Sequence, residues 1–181
     1  PSIAHLFGTD YLGRDVFSRV MYGARISLPL VVVVAGGASI IGGVIGAIVG
    51  FLGGVVDEIV MRVADITLAF PSIMLAMAII TAIGPGLSNA MVAIMITMWP
   101  SYARLMRGQV LSIKRRDHVE AARSIGASNS RVLTKHVVPL CISPVIVAVS
   151  LDLGNVLLLA AALSFIGLGA VPPEPEWGAM V

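Results

Sequence analysis

Residues 26–52 read ISLPLVVVVAGGASIIGGVIGAIVGFL, a run from Ile26 to Leu52 without one charged side chain. At about 1.5 Å of rise per residue, a helix of this length covers about 40 Å, more than the roughly 30 Å of a bilayer's hydrocarbon core. Gly42, Gly46, Gly50 and Gly54 recur every fourth position. In a helix they share one face, where small side chains let a second helix come close.

Outward from this run the same pattern repeats. No charge stands between Asp65 and Arg104, or between Lys135 and Asp152. Hydrophobic residues make up 57% of the 181 positions and charged ones 12%, which places the chain in the membrane class. The expected fold is all-α, a polytopic membrane helical bundle with about four spans. Gly84-Pro85-Gly86 divides the 66–103 stretch into a hairpin. Pro71 and Pro100 near its far ends are positions for bends. A fourth span starts near Val137, and at roughly 22 Å along it Asp152 falls in the outer third of the membrane. Leu157 to Ala170 reads either as a fifth span or as a helix against the outer face.

Eight of the twelve Lys and Arg residues lie between Arg104 and Lys135. The excess of positive charge keeps the 104–136 loop in the cytosol. Three regions follow: an extracytoplasmic segment 1–25, a transmembrane core 26–170 holding that loop, and an extracytoplasmic proline-rich segment 171–181. On this topology Gly53 to Asp65 is a short cytosolic loop. No apolar core of a signal peptide is visible in the first 25 residues. The chain begins at Pro1 and ends at Val181, and is read as part of a longer subunit.

The loop spells two short helices. Asp117 and Glu120 have capping-box spacing for a helix ending at Gly126, and Ser128 is a start signal for a second carrying Val132, Leu133, His136 and Val137 to the membrane at Pro139. Val119, Ala122 and Ile125 share a face that suits a soluble partner or a lipid surface. Arg115, Arg116 and Arg123 hold the helix near anionic headgroups.

The run Glu120-Ala121-Ala122, followed by Gly126 and Pro139, resembles the EAA loop of permease subunits in binding-protein-dependent ABC importers. His136 and Val138 depart from that pattern. Leu12-Gly13-Arg14-Asp15, Met61 to Asp65, Phe70-Pro71 and Gly167 through Pro172-Pro173 to Gly178 are similar to the peptide and nickel branch of those permeases. The resemblance implies that Glu120, Ala121, Ala122, Gly126 and Pro139 couple to a cytosolic ATPase. It implies six helices in the intact subunit, with the first and last missing here, and favours the outer-face reading of Leu157 to Trp177. The implied partners are a second permease subunit, two cytosolic ABC ATPases, an extracytoplasmic substrate-binding protein and the lipid bilayer, with no nucleic acid. The implied site is the prokaryotic cell membrane.

No phosphate-cradling Gly-x-x-x-x-Gly-Lys-Ser/Thr loop is present. ATP and Mg therefore belong on the partner ATPase, and the chain itself is expected to bind no cofactor and to catalyse no reaction. Asp152, the single acid inside a span, is a candidate path-lining residue or a side chain satisfied by Asn155 or Ser150. The single Cys141 excludes an internal disulfide, and His5, His118 and His136 lie outside the spans, so no metal site is expected. Peptides are the first substrate choice, nickel the second, with opines, glutathione and oligosaccharides open. A self-contained channel or secondary carrier, or an intramembrane enzyme, stands as the reading from another class.

Overall fold

Asp15 starts the first helix. Its carboxylate accepts hydrogen bonds from the Ser18 amide at 2.8 Å and the Ser18 hydroxyl at 2.6 Å, as a capping residue does. The computed structural model describes residues 5–10, 12–170 and 174–180, so Pro172 and Pro173 of the proline-rich stretch and the first four residues lie outside the described residues. Helix α1 spans Val16–Leu52, 37 residues, and thus begins ten residues before the apolar run from Ile26, within the segment 1–25. Just ahead of it Asp10 organises a turn, accepting from the Leu12 and Arg14 amides and from the Arg14 and Arg19 guanidiniums. Burial pushes the Asp10 carboxyl up, but those donors together hold it well below the usual carboxylate range.

Gly53 and Gly54, with φ of 71° and 67°, turn the chain into α2, Gly54–Ala69. The expectation of a short loop over Gly53 to Asp65 is therefore corrected: from Gly54 onward it is helical. The charges there are met within the bundle, Asp57 by Arg107 and Asp65 by Arg104, so they do not force a solvated loop. The helix stops at Phe70, held extended at φ −93° and ψ 141° by the proline that follows. After Pro71, α3 runs Ser72–Ile83 at 97° to α2. Helix α4, Leu87–Ile113, follows the Gly84-Pro85-Gly86 break and carries Pro100 buried in its interior.

Helix α5 is Asp117–Ser124. The single turn α6, Asn129–Arg131, then passes through a π-helical stretch, Val132–Val137, into α7, Val138–Phe165. Three expectations change here. Residues 104–113 belong to α4 and 129–136 are continuous with α7, so the connection is shorter than the 104–136 loop. The second short helix is the entry of α7, with its wide π turn placed just before Pro139, whose ring would crowd a normal α turn. Leu157 to Phe165 completes α7 instead of forming a separate span or an outer-face helix, because no breaker intervenes before Gly167. There the amides of Gly167 and Leu168 bond to the carbonyls of Ser164 and Leu163 at 3.0 and 2.9 Å, with Gly167 at φ 82°, a Schellman cap.

The seam between α1 and α4 organises the bundle. Gly37 faces Met95, Gly42 faces Trp99 and Tyr102, Gly46 faces Ala103 and Gly50 faces Arg107. Both series ascend together, so the two helices run parallel. Consequently α2 and α3 between them must return the chain from one end of the bundle to the other. Helix α7 is antiparallel to α4: Tyr102 meets Asp152 midway, and the Gly86 amide before α4 bonds to the Leu168 carbonyl beyond α7. Among the described residues, α1 and the continuous stretch Asn129–Phe165 are long and apolar enough to cross a membrane, and the bent pair α2 and α3 counts as a third. Helix α4, the remaining member of the expected four, is more polar, with Arg104, Arg107 and Gln109 toward its C-terminal end.

Two apolar clusters fill the interior. One, near the α3–α4 turn, contains Leu30, Val34, Ile80, Ile94, Val156 and Leu163. The other, at the basic end, contains Phe51, Met106, Val110, Val119, Val132 and Val137. Outward-facing positions such as Val32, Ile40, Val44 and Leu151 are also apolar, as a lipid-facing surface requires.

At the basic end the Arg107 guanidinium grips the Asp57 carboxylate with two bonds, of 2.6 and 2.7 Å. Asp57 is buried and Arg107 partly so. Asp57→Ala and Arg107→Ala are each expected to lower the melting temperature of the detergent-purified protein. The double mutant should lose less than the sum, with a coupling free energy of about 1–3 kcal/mol. Strict additivity would show that the pair contributes nothing.

Candidate functional site

The two ends of α5 define its position: α4 leads into it and α7 leads out of it. Arg116, extended at ψ 149°, precedes the first turn, and its carbonyl receives the Val119 and Glu120 amides at 2.9 and 3.3 Å. Asp117 is thus the first helical residue and makes no side-chain cap, contrary to the capping-box expectation. With Glu120 it places negative charge on the first turn, where the helix dipole favours it. At the other end the amides of Gly126 and Ala127 bond to the carbonyls of Arg123 and Ala122 at 2.9 and 3.1 Å. Gly126 has φ 85°, so this end too is a Schellman cap. Ser128 caps the next turn, accepting from the Arg131 amide at 3.4 Å.

The apolar face of α5 divides. Val119 and Ala122 are buried against Phe51, Val110 and Val132, so they anchor α5 to the bundle and are not offered to a partner. Ile125 is 87% exposed, and His118, Glu120, Ala121, Ser124 and Gly126 are exposed around it. This corrects the expectation that Val119, Ala122 and Ile125 present one common face. The difference arises because the eight-residue helix ends before Ile125, which sits at the cap rather than in register with the buried pair. Arg123 stacks over the Phe51 ring, 5.4 Å from its centroid. Lys114 donates to the Gly50 carbonyl at 2.7 Å, capping the last turn of α1 with positive charge. Burial, reinforced by neighbouring Arg115, holds the Lys114 amine below its usual range. Pro139 is exposed, at the second position of α7, and is not part of the α5 surface.

The second region is a cleft of about 630 Å³ where the α2–α3 break meets α4 and α7. Ser72, Thr97, Ser101, Asp152 and Asn155 supply its polar lining, and Phe70 and Leu158 part of its apolar wall. Asp152 is the fifteenth of the 28 residues of α7 and is bonded to Tyr102, the sixteenth of the 27 residues of α4. It therefore lies midway along the bundle and not in its outer third, since α7 extends to Phe165. One carboxylate oxygen accepts from the Tyr102 hydroxyl at 2.9 Å and the other from the Asn155 amide at 3.2 Å; Ser150 bonds instead to the Ile146 carbonyl. Asp152 and the α5 residues are not brought together. They are joined only through α4 and α7.

Gly42, Gly46 and Gly50 lie in the α1–α4 seam, where a side chain on either of the first two would overlap the α4 backbone. Sequence reasoning missed Tyr102, Thr97 and Ser101, polar residues spaced along α4 whose only signal was their place in a membrane-length helix. Glu176, in the terminal run similar to the peptide and nickel permeases, is fully buried between the Ser27 hydroxyl at 3.4 Å and the Ala179 amide at 3.0 Å. With Trp177, whose ring nitrogen donates to the Val20 carbonyl at 3.0 Å, it straps the 174–180 segment to α1.

Residues 42–181 match the family model described as binding-protein-dependent transport system inner membrane component. The chain is 49% identical to the probable D,D-dipeptide transport system permease protein DdpC of Escherichia coli (strain K12), with all of this chain and 61% of that protein covered. It is 45% identical to the dipeptide transport system permease protein DppC of Alkalihalophilus pseudofirmus, covering all of this chain and 60% of that one. The glutathione transport system permease protein GsiD of Pectobacterium atrosepticum is 44% identical, again over all of this chain and 60% of the relative. The chain thus spans about three fifths of the length of the curated relatives it matches. A helical bundle with an exposed cap at the α5 turn, matched along residues 42–181 by that model and along its full length by these permeases, belongs to the binding-protein-dependent transport system inner membrane component family.

Proposed function

We propose that the chain is a permease subunit of an ATP-driven importer of short peptides, coupled through α5 to a cytosolic ATPase. The observation that carries this reading is the division of α5. Val119 and Ala122 fix it to the ends of α1 and α4, while Ala121, Ile125 and Gly126 face outward. A push on Ile125 is delivered to the bundle through close-packed side chains, which transmit displacement because they cannot be compressed. Helices α4 and α7, joined by α5, are the elements it would tilt.

In this reading the basic end lies in the cytosol, as the Lys and Arg excess favours. Nucleotide and Mg sit on two partner ATPases. A second permease subunit completes the path, and an extracytoplasmic binding protein delivers the cargo. Relatives named for dipeptides, D,D-dipeptides and glutathione favour a peptide over nickel. Asp152 lines the path on the cleft side of α7.

Purification in mild detergent with the co-expressed ATPases tests the docking surface. The wild-type chain is expected to bring the ATPase with it, and Ile125→Asp to lose at least about tenfold of it, the loss typical of removing an anchoring apolar side chain. Because Ile125 is solvent-exposed, the variant should melt at the wild-type temperature. Full retention of the ATPase by Ile125→Asp would refute the assignment of this surface.

A further inference from the structure

We propose that the cleft around Asp152 is a seat for a primary ammonium group, the charged amino terminus of a short peptide. This rests on the importer reading above and adds the chemistry by which the path itself holds its cargo.

The acids on the neighbouring helix are already neutralised. Asp57 pairs with Arg107, Asp65 with Arg104 and Glu58 with Arg62. Among the described residues, Asp152 makes no ion pair. Its two bonds come from neutral donors, the Tyr102 hydroxyl and the Asn155 amide. These orient the carboxylate and partly satisfy it, and they leave its charge uncompensated. Asp152 is half-buried midway along a membrane helix, and an unpaired anion at that depth is costly unless a cation meets it. The lining contains no Lys, Arg or His, so this chain supplies no cation of its own, and the cargo is the one proposed to bring it.

The remaining polar groups decide which cation. Ser72, Ser101 and Thr97 line the same cleft, and the Thr97 hydroxyl spends its proton on the Ile94 carbonyl at 2.8 Å, leaving its lone pairs free. An ammonium carries three N–H donors, which one carboxylate and neighbouring hydroxyl oxygens can accept. A hard divalent metal requires several anionic or carbonyl oxygen ligands, and the described residues hold no group of three or more His, Cys, Asp or Glu suited to a metal. The volume of about 630 Å³ is within the usual range for a small-molecule site. Phe70, Ile73, Met98 and Leu158 offer apolar surface to the peptide's side chains.

Tyr102 acts here as a positioning residue. It is 1% exposed and its Cβ lies against Gly42 in the α1–α4 seam, so its hydroxyl is fixed to α4 while Asp152 rides on α7. A change in the separation of α4 and α7 makes or breaks their bond. Displacement of α5 would thereby alter how tightly the carboxylate is held, and hence its grip on an ammonium.

The test uses the full importer, with its binding protein and ATPases, reconstituted in vesicles and supplied with dialanine. Wild-type uptake of dialanine checks the importer reading: its absence defeats that reading whatever Asp152 does. Given uptake, Asp152→Asn is expected to lower its maximal rate at least about tenfold, the worth of one charge-assisted hydrogen bond. ATP hydrolysis stimulated by the binding protein should stay within about twofold of wild type, and Asp152→Glu should restore most of the uptake. Tyr102→Phe should raise the half-saturating dialanine concentration severalfold, with stimulated ATP hydrolysis kept. Unchanged uptake by Asp152→Asn overturns the seat, and so does a loss that Asp152→Glu fails to rescue, which would mark a packing role. A second measurement omits the binding protein. In nanodiscs, millimolar dialanine should slow the reaction of dicyclohexylcarbodiimide with Asp152, read by peptide mass spectrometry, and N-acetyl-dialanine should not. Equal protection by both, or by neither, overturns the ammonium assignment.

Discussion

Gly46→Ala is expected to prevent α1 from seating against α4 and to abolish most of the folded yield, although it adds one methyl group. A Cβ at this position would overlap the Ala103 carbonyl oxygen and lie 2.9 Å from the Ala103 Cα. These are backbone atoms of a helix, so no rotamer change relieves the overlap. The two helices must separate, and the approaches at Gly42 and Gly50 loosen with them. Overpacking typically costs about 1–3 kcal/mol, and separating a helix seam across several turns costs at least the upper part of that range. Gly36→Ala supplies the comparison, because nothing lies within 4 Å of a Cβ built there. That variant should match wild type or gain about 0.5–1 kcal/mol from lost backbone freedom in the unfolded chain. The measurement is the monodisperse fraction after detergent extraction, with melting temperatures for whatever folds. Equal behaviour of the two variants would remove the seam from its organising role.

The four-residue spacing of Gly42, Gly46 and Gly50 is legible in one dimension because a helix converts period four into a face. Which helix meets that face is not, since nothing local in 26–52 distinguishes α3, α4 or α7 as its neighbour. The same limit explains α2. Asp57, Glu58, Arg62 and Asp65 look like loop charges when each is weighed against water, and become compatible with a packed helix only once Arg104 and Arg107, some forty to fifty positions later, are known to stand opposite. Proline and glycine were informative in proportion to their partners. Pro71 breaks its helix because Phe70 is forced extended, whereas Pro100 is absorbed inside α4.

The candidate site shows a similar division. Gly126 and Ser128 announce a stop and a start through local chemistry, and that punctuation is visible in the residues themselves. The inward turn of Val119 and Ala122 depends on Phe51 and Val132, and so it inverts the surface that an isolated amphipathic helix would suggest. Asp152 stands out in the sequence as an acid in an apolar run. Its depth does not, because that depends on α7 continuing to Phe165, and its orientation depends on Tyr102, fifty residues away.

Gly126→Leu is expected to leave the protein folded in the membrane and to separate ATP hydrolysis from uptake. At φ 85° a leucine pays roughly 1–2 kcal/mol for its Cβ in the left-handed region. The strain falls on an exposed cap with nothing within 4 Å of a Cβ, so the cost is conformational and leaves the core intact. The chain relieves it by abandoning the left-handed turn. The bonds from the Gly126 and Ala127 amides to the Arg123 and Ala122 carbonyls are then lost, and Ile125 no longer projects from a fixed cap. Gly126→Asn separates conformation from side-chain bulk, since asparagine tolerates the left-handed region. In reconstituted vesicles Gly126→Leu should hydrolyse ATP with at least about tenfold less uptake per turnover, the order of loss when one anchoring contact is misplaced, and Gly126→Asn should stay near wild type. Normal uptake by Gly126→Leu would mean that the left-handed cap is dispensable for coupling. Equal loss in both variants would place the requirement on the bare backbone surface of glycine, against which an ATPase side chain packs directly.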